Sequence, residues 1–268
     1  MIGVYVNGVG VLGPGLPGWE ESRAVLLSKV AHHSEAMPEI SGAFLPATER
    51  RRAGRNTKLA IAVASEAVTQ AGVSPHDVAT VFASSSADTE VIHAICETLA
   101  SPDPMDRMVS PTRFHNSVHN AAAGYWSIAA GSRQPSTSIA YYDKSVAAGL
   151  LEAATQAMIE QMPVLLVVYE TPYPAPLAAV QPTSASFGAA LLLSPTQSET
   201  SIAHLSIELA QQAAPGPTFA GSLETLRRGN FAARILPLLR ALAANETAQL
   251  TLEHAAPHGL RVESTPCR

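Results

Sequence analysis

The stretch STSIAYYDKSVAAGLLEAA, residues Ser136–Ala154, decides how this chain folds. Its opening is short and strand-like, then the pattern changes to alanine-rich helical spacing, so it reads as a strand running straight into a helix. Asp143 stands at the tip of that elbow. A helix start offers free N–H groups and a positive dipole end to an anion. Local chemistry therefore predicts that the carboxylate caps the helix rather than acts as a nucleophile, with Ser145 as a second capping oxygen.

Working outward, strands and helices alternate. Gly3–Gly13 (GVYVNGVGVLG) reads as a first strand and Asn56–Gly72 as a helix with Asn56 as cap and Gly72 as stop. DVATVFASSSAD is a strand ending in a serine-rich loop, and TEVIHAICETLAS a second helix. Residues 110–132 read as a loop and an alanine-rich helix. Met162–Thr171 (MPVLLVVYET) and ASFGAALLLSP are apolar strands of the kind buried on both faces. This order predicts an α/β layered domain with a mostly parallel sheet. Beyond it, SIAHLSIELAQ reads as a strand and QAAPGPTFAGS as a loop. LRRGNFAARILPLLRALAAN reads as one helix broken at Pro237, and TAQLTLEHAAPHGLRVEST as a strand with a hairpin-like return. The expectation is a single domain over 1–268.

Composition narrows the function. Hydrophobic residues make up 47% and charged residues 15% of 268, with a formal net charge of −5. That is a globular composition with no broad basic field, which argues against nucleic acid as partner. The one basic cluster holds Arg50, Arg51, Arg52 and Arg55, either a solvated helix start or a contact for an acidic protein. No apolar run is long enough to span a membrane, and the first residues lack the pattern of a secretory leader, so a cytoplasmic setting is expected. The two cysteines give neither a disulfide framework nor metal spacing. Cys96 is expected to be a small buried hydrophobe and Cys267 to fray with the terminus.

Three motifs invite chemistry and resist it. His115 and His119 are four apart, as in a two-histidine ligand pair, but no third ligand or neighbouring acid completes it, so local hydrogen bonds are expected and no metal. Gly8, Gly10 and Gly13 fit a dinucleotide-loop spacing, yet PGLPGWEE follows where a phosphate-binding helix should open, so no nucleotide cofactor is expected. ASSSAD lacks the glycines of a serine-hydrolase elbow. Tyr125, Trp126, Tyr141 and Tyr142 crowd into 18 residues and mark a core, an interface or an apolar pocket.

The order of these segments resembles the N-terminal half of a β-ketoacyl synthase, a condensing enzyme of the thiolase-like α-β-α fold. VYVNGVGVLGPG is similar to that family's first strand, LLVVYET to its A-G-G-x-E strand, and SFGAALLLSP to its G-E-G-A-x-x-L-x-L strand. The resemblance covers about residues 1–195, leaving 196–268 as a reduced C-terminal part. More narrowly, SPTRFHNSVHNAAAGYWSIAAG is similar to the chain-length-factor-like members of aryl polyene pathways.

What the resemblance implies is a subunit without condensing chemistry. The nucleophilic cysteine falls on Asp143, with Ser145 and Glu152 in flanking positions. The family's two catalytic histidines have no counterpart, since His204, His254 and His258 stand in neither motif. A carboxylate is a poor acyl acceptor, whereas condensation needs a thiolate. The implied partner is a cysteine-bearing synthase, or a second copy, in polyketide or fatty-acid-like biosynthesis. Phe114, His115, His119, Tyr125, Trp126, Tyr141 and Tyr142 would supply interface or acyl-tunnel surface, and the arginines would meet acyl carrier protein. A half-size fold of this kind is expected to leave an apolar sheet face for the last third or a partner to cover. Two alternatives stay open: an independent acyl-thioester decarboxylase or hydrolase using Asp143 as base, and a homodimeric carrier-docking module.

Overall fold

The computed structural model describes all residues except 182, 184, 212–217, 256 and 268. Among these residues the strands are β1 (Ile2–Leu12), β2 (Ala79–Ala83), β3 (Ser136–Ile139), β4 (Val164–Glu170), β5 (Phe187–Ser194), β6 (Ala203–Ala210), β7 (Ala248–Glu253) and β8 (Gly259–Pro266). The helices are α1 (Trp19–Leu26), α2 (Ala47–Arg52), α3 (Arg55–Ala71), α4 (Thr89–Leu99), α5 (Pro111–Asn116), α6 (Ala121–Ala130), α7 (Ser145–Glu160), α8 (Ala175–Ala178), α9 (Gly221–Gly229) and α10 (Leu236–Ala244).

One sheet, ordered β3-β2-β4-β5-β1-β6-β8-β7, divides the molecule into layers. The expectation of a mostly parallel sheet is corrected. Only β2–β3 and β2–β4 pair in parallel, because β5 runs opposite to its neighbours β4 and β1, and every pair beyond β1 is antiparallel, with β8 between β6 and β7. Helices α3 and α6 pack on one face, and α7, α10 and α1 lie with the core on the other.

Strand β1 shows how sequence sets this layering. Val4 and Val6 face the α7 side, and so do Val9 and Val11, although the parity of their numbering differs. A bulge between Val6 and Gly8 absorbs the extra residue, Asn7. The phase change turns Gly8 and Gly10 toward α3, where a Cβ would lie 2.1 Å from Ala67 O and Val63 O respectively. These glycines therefore let a helix backbone lie on a strand, which is the use of the Gly8–Gly10 spacing that no nucleotide explains. Beyond residue 6, no strand among the described residues lies on the β6 side of β1. There Gln70 Oε1 accepts from Val9 N at 2.5 Å and Glu66 accepts from Val11 N at 2.9 Å and Trp19 N at 2.5 Å. Burial raises the pKa of Glu66 against those two backbone hydrogen bonds.

Several local expectations change. Helix α3 starts at Arg55 after Gly54, so Asn56 is a buried helical residue rather than the cap, while Gly72 closes it at φ 67°. The loop expected at 110–120 contains α5. The long C-terminal helix is interrupted at Asn230–Ile235 rather than at Pro237, which sits harmlessly in the first turn of α10. Asn230 is fully buried, donating to Ala185 O at 2.7 Å and accepting from Ala233 N at 3.1 Å, and that polar anchor breaks the helix. Cys96 is exposed, and Cys267 N still bonds Ile202 O at 3.0 Å, so neither cysteine behaves as expected. Most of the QAAPGPTFAGS loop lies outside the described residues.

The sheet face expected to need the last third or a partner as cover is met by the last third: the 232–235 turn packs on β4 and β5, and apolar residues of α9 and α10 join the same core. In β6, β7 and β8 the inward residues Leu205, Ile207, Leu250, Leu252, Leu260 and Val262 alternate with His204, Ser206, Gln249, Arg261 and Glu263 toward solvent.

Candidate functional site

The elbow forms as predicted. Strand β3 ends at Ile139, a 3-10 turn spans Tyr142–Lys144, and α7 begins at Ser145. Tyr142 holds φ at +49°, a left-handed conformation unusual for a bulky side chain. Ser145 fixes the turn: its Oγ accepts from Tyr141 N at 2.9 Å and donates to Tyr142 O at 2.7 Å, with Ser84 O at 3.3 Å.

Asp143 does not cap α7; no side chain does. Its carboxylate turns aside and meets Lys144 Nζ at 3.0 Å and Arg234 Nη2 at 3.9 Å. Both cations also hold Glu253, at 2.8 Å from Lys144 and 3.1 Å from Arg234. Four charges of alternating sign thus close a ring between the elbow and the C-terminal third. The Lys144 hydrogen bond lowers the pKa of Glu253 against partial burial. Burial disfavours the Lys144 ammonium, but its bonds to Glu253 and Asp143 outweigh that and raise its pKa. Beneath the ring, Asp143, Val146, Ala147, Arg227, Arg234 and Pro237 border a cavity of about 40 Å³. That is room for about one water.

Behind the elbow lies a buried polar cluster that sequence reading missed. Glu170, at the end of β4, accepts from Ser85 N at 2.9 Å and Ser85 Oγ at 2.6 Å, with Ser84 Oγ and Tyr173 OH each at 3.4 Å. Tyr173 OH also bonds the hydroxyls of Ser85 and Ser86. Burial pushes the Glu170 carboxyl up to about 7 despite these donors, and pushes Tyr173 up to about 12 beside it. The available signal was a glutamate closing an otherwise apolar strand buried on both faces.

The seven interface or tunnel candidates separate. Tyr125 and Trp126 are core residues: Tyr125 OH donates to Asn116 Oδ1 at 3.0 Å, and Trp126 stacks on Phe44 at 5.3 Å. His115, at the end of α5, meets Tyr125 edge-on at 5.9 Å, while His119 lies beyond that helix with Nε2 3.4 Å from Ser84 O. The two histidines therefore share no helical face, and among the described residues no metal-ligating cluster forms. Phe114 is 67% exposed, Tyr141 45% and Tyr142 49%. Arg51, Arg52 and Arg55 are exposed and Arg50 half-buried; Asn116 Nδ2 ties Arg52 O to α5 at 2.7 Å. Glu152 accepts from Gln156 at 2.7 Å. Of the C-terminal histidines, His254 reaches the elbow, edge-on to Tyr141 at 5.9 Å, whereas His204 packs at a tilt against Tyr5.

One side of the molecule is unusually apolar. Helix α4 buries only Thr89, leaving Val91, Ile92 and Ile95 half-covered and Leu99 exposed. It touches α5, whose chain continues into α6, and α6 packs on β3. Met105, Met108, Phe114, Val118 and Ile128 add exposed apolar surface along that path. Among the described residues strand β3 ends the sheet, paired only with β2.

A strand–elbow–helix under a mixed sheet ordered 3-2-4-5-1 is matched by sequence comparison as well. The profile of the family described as "Beta-ketoacyl synthase, N-terminal domain" matches residues 20–254. The chain belongs to that family. The match continues well past residue 195, so β6, α9, α10 and β7 fall within it. Among curated proteins no match is found. Solved structures share the thiolase-like fold over the whole chain. A ketosynthase (ApeO) in complex with its chain length factor (ApeC) from Xenorhabdus doucetiae is similar at 20% identity and TM-score 0.74, covering 99% of this chain and 100% of that one. The ishigamide ketosynthase/chain length factor is similar at 14% identity and TM-score 0.72, with 100% of both chains covered. A β-ketoacyl synthase from Burkholderia phymatum STM815 is similar at 14% identity and TM-score 0.71, again over 100% of both chains. Among the described residues no helix is long and apolar enough to cross a membrane.

Proposed function

We propose that this ketosynthase-like chain is a non-catalytic subunit of the chain-length-factor type, which pairs with a cysteine-bearing β-ketoacyl synthase and shapes its acyl tunnel. The observation that carries this reading is the α4–α5–α6–β3 side: among the described residues an apolar helix that packs on α5 but buries only Thr89, and a sheet edge paired on one side alone. Such a surface suits obligate association, since an edge strand can add a strand and α4 gains its cover at once. The fold is shared with chains from ketosynthase–chain length factor complexes. Asp143 supports the loss of condensing chemistry. A carboxylate committed to two cations is neither a thiolate nor a free base, which also weighs against the independent decarboxylase or hydrolase.

Phe114, Tyr141 and Tyr142 are the residues we assign to the interface or tunnel floor. Arg51, Arg52 and Arg55, beside α5, are those we assign to acyl carrier protein contact, in polyene, polyketide or fatty-acid-like biosynthesis. The test is co-expression with a cysteine-bearing synthase from the same organism, with mass and acyl elongation measured for each chain alone and together. A one-to-one complex that elongates only with both chains present is expected. A stable homodimer that ignores the synthase would overturn the reading, and turnover of an acyl thioester by this chain alone, lost on Asp143→Asn, would replace it with the enzyme.

A further inference from the structure

The elbow and the C-terminal third meet through a repeating pattern. On the elbow stand Tyr141, Tyr142, Asp143 and Lys144; opposite them stand Phe231, Arg234, Glu253 and His254. Each ionic contact has an aromatic contact beside it. Arg234 meets Asp143, and three residues earlier the Phe231 ring packs at a tilt against Tyr142 at 5.2 Å. Glu253 meets Lys144, and the next residue, His254, packs edge-on against Tyr141 at 5.9 Å. The opposing residues come from two separate segments, the turn before α10 and the end of β7, and Arg234 and Glu253 bridge those segments at 3.1 Å. Tyr141 and Tyr142 nevertheless keep nearly half their surface open.

We propose that Asp143 is a positioning residue of a clasp. By closing the charge ring it holds the C-terminal third on the elbow and fixes Tyr141 and Tyr142 as an outward-facing aromatic pair for the partner subunit. The second half of this statement rests on the partner-subunit reading. The chemistry follows from the geometry. Tyr142 sits in a left-handed conformation that costs about 1 kcal/mol or more and persists only if its surroundings hold it. The holding groups are Ser145, which bonds Tyr142 O from within the elbow, and from the C-terminal third the Phe231 ring and the Asp143–Arg234 contact one residue on. The surface so presented is two phenols on aromatic supports. It fits a partner patch that is apolar with hydrogen-bond acceptors at its rim, as tyrosine-rich interfaces generally require. The position where the family carries its nucleophile thereby gains an architectural task, and placing a thiol there removes one of the clasp's four charges.

The test uses hydrogen–deuterium exchange on the full chain, comparing the native protein with Asp143→Asn, Asp143→Cys and Asp143→Glu, and affinity for the synthase in parallel. In Asn and Cys variants, exchange in peptides covering 140–145, 231–236 and 248–254 is expected to rise at least about fivefold, while β1, β4 and β5 stay protected as the control for intact folding. Asp143→Glu, which keeps the charge, is expected to stay near native. Affinity for the synthase is expected to fall about tenfold for Asn and Cys, and the cysteine variant to remain unacylated by acyl carrier thioesters. Unchanged exchange in Asp143→Asn overturns the clasp. Loosened peptides with undiminished affinity overturn its role toward the partner. If the native chain binds no synthase, the subunit reading fails, and exchange alone still decides the clasp.

Discussion

The two ends of the sheet solve burial differently. From β3 to β1 the strands are sandwiched between helical layers, and β4 and β5 are buried at every position. From β6 to β7 one face meets the core and the other meets water. In the first region both sides of a strand must fit a neighbour, so small residues decide the spacing. In the second, alternation suffices and the outward residues are free. Substitution should therefore be tolerated very unequally across one continuous sheet.

The sharpest way to break this comparison is Gly10→Val. Its Cβ would lie 2.1 Å from Val63 O, a backbone atom that cannot step aside. A loss of about 4 kcal/mol or more is expected, seen as failure to recover folded protein. Next comes Glu170→Gln. Because burial raises the folded pKa of Glu170 from 4.5 to about 7, its contribution is present below pH 4.5 and lost as pH rises through 7. A shift of that size corresponds to about 3 kcal/mol. Denaturant titrations from pH 4 to 8 should show this decline in the native chain and a flatter profile in the variant; identical slopes would remove Glu170 as the titrating group. A smaller effect separates the faces of β7. Leu250→Ala, pointing inward, should cost about 2 kcal/mol, whereas Gln249→Ala, on the exposed face, should stay within about 0.5 kcal/mol in the same titrations. Equal costs would mean that the second face is covered after all.

Much of this was legible in the sequence where one residue type has one structural use. The apolar runs of β4 and β5, the Gly72 stop of α3 and the strand-to-helix change at Asp143 all read correctly. What failed depended on partners distant in sequence. The direction of β5 is set by its pairing, since an apolar strand buried on both faces looks alike whichever way it runs. The helix break at Asn230 depends on Ala185, which is 45 positions away. The cap expected of Asp143 lost to Lys144, Arg234 and Glu253, two of which come from the other end of the chain. For the same reason Tyr125 and Trp126 could not be told from interface aromatics, because clustering along the chain says that something large packs, not on which side of a helix. Glu170 was visible as an oddity, but its ring of hydroxyls from Ser84, Ser85 and Tyr173 was not.

Gln70 and Glu66, reaching from α3 to the N–H groups of Val9 and Val11, carry one more consequence. They divide β1 into a docking half and a sealed half, with the bulge at Asn7 as the border. The three C-terminal strands are grafted onto the docking half alone, Ile2–Val6 against Ala203–Ile207. Growth or trimming of that graft leaves the sealed half untouched. Val9 and Val11 thus keep their hydrogen-bond partners on α3 whatever happens in the segment that reaches over to hold the elbow.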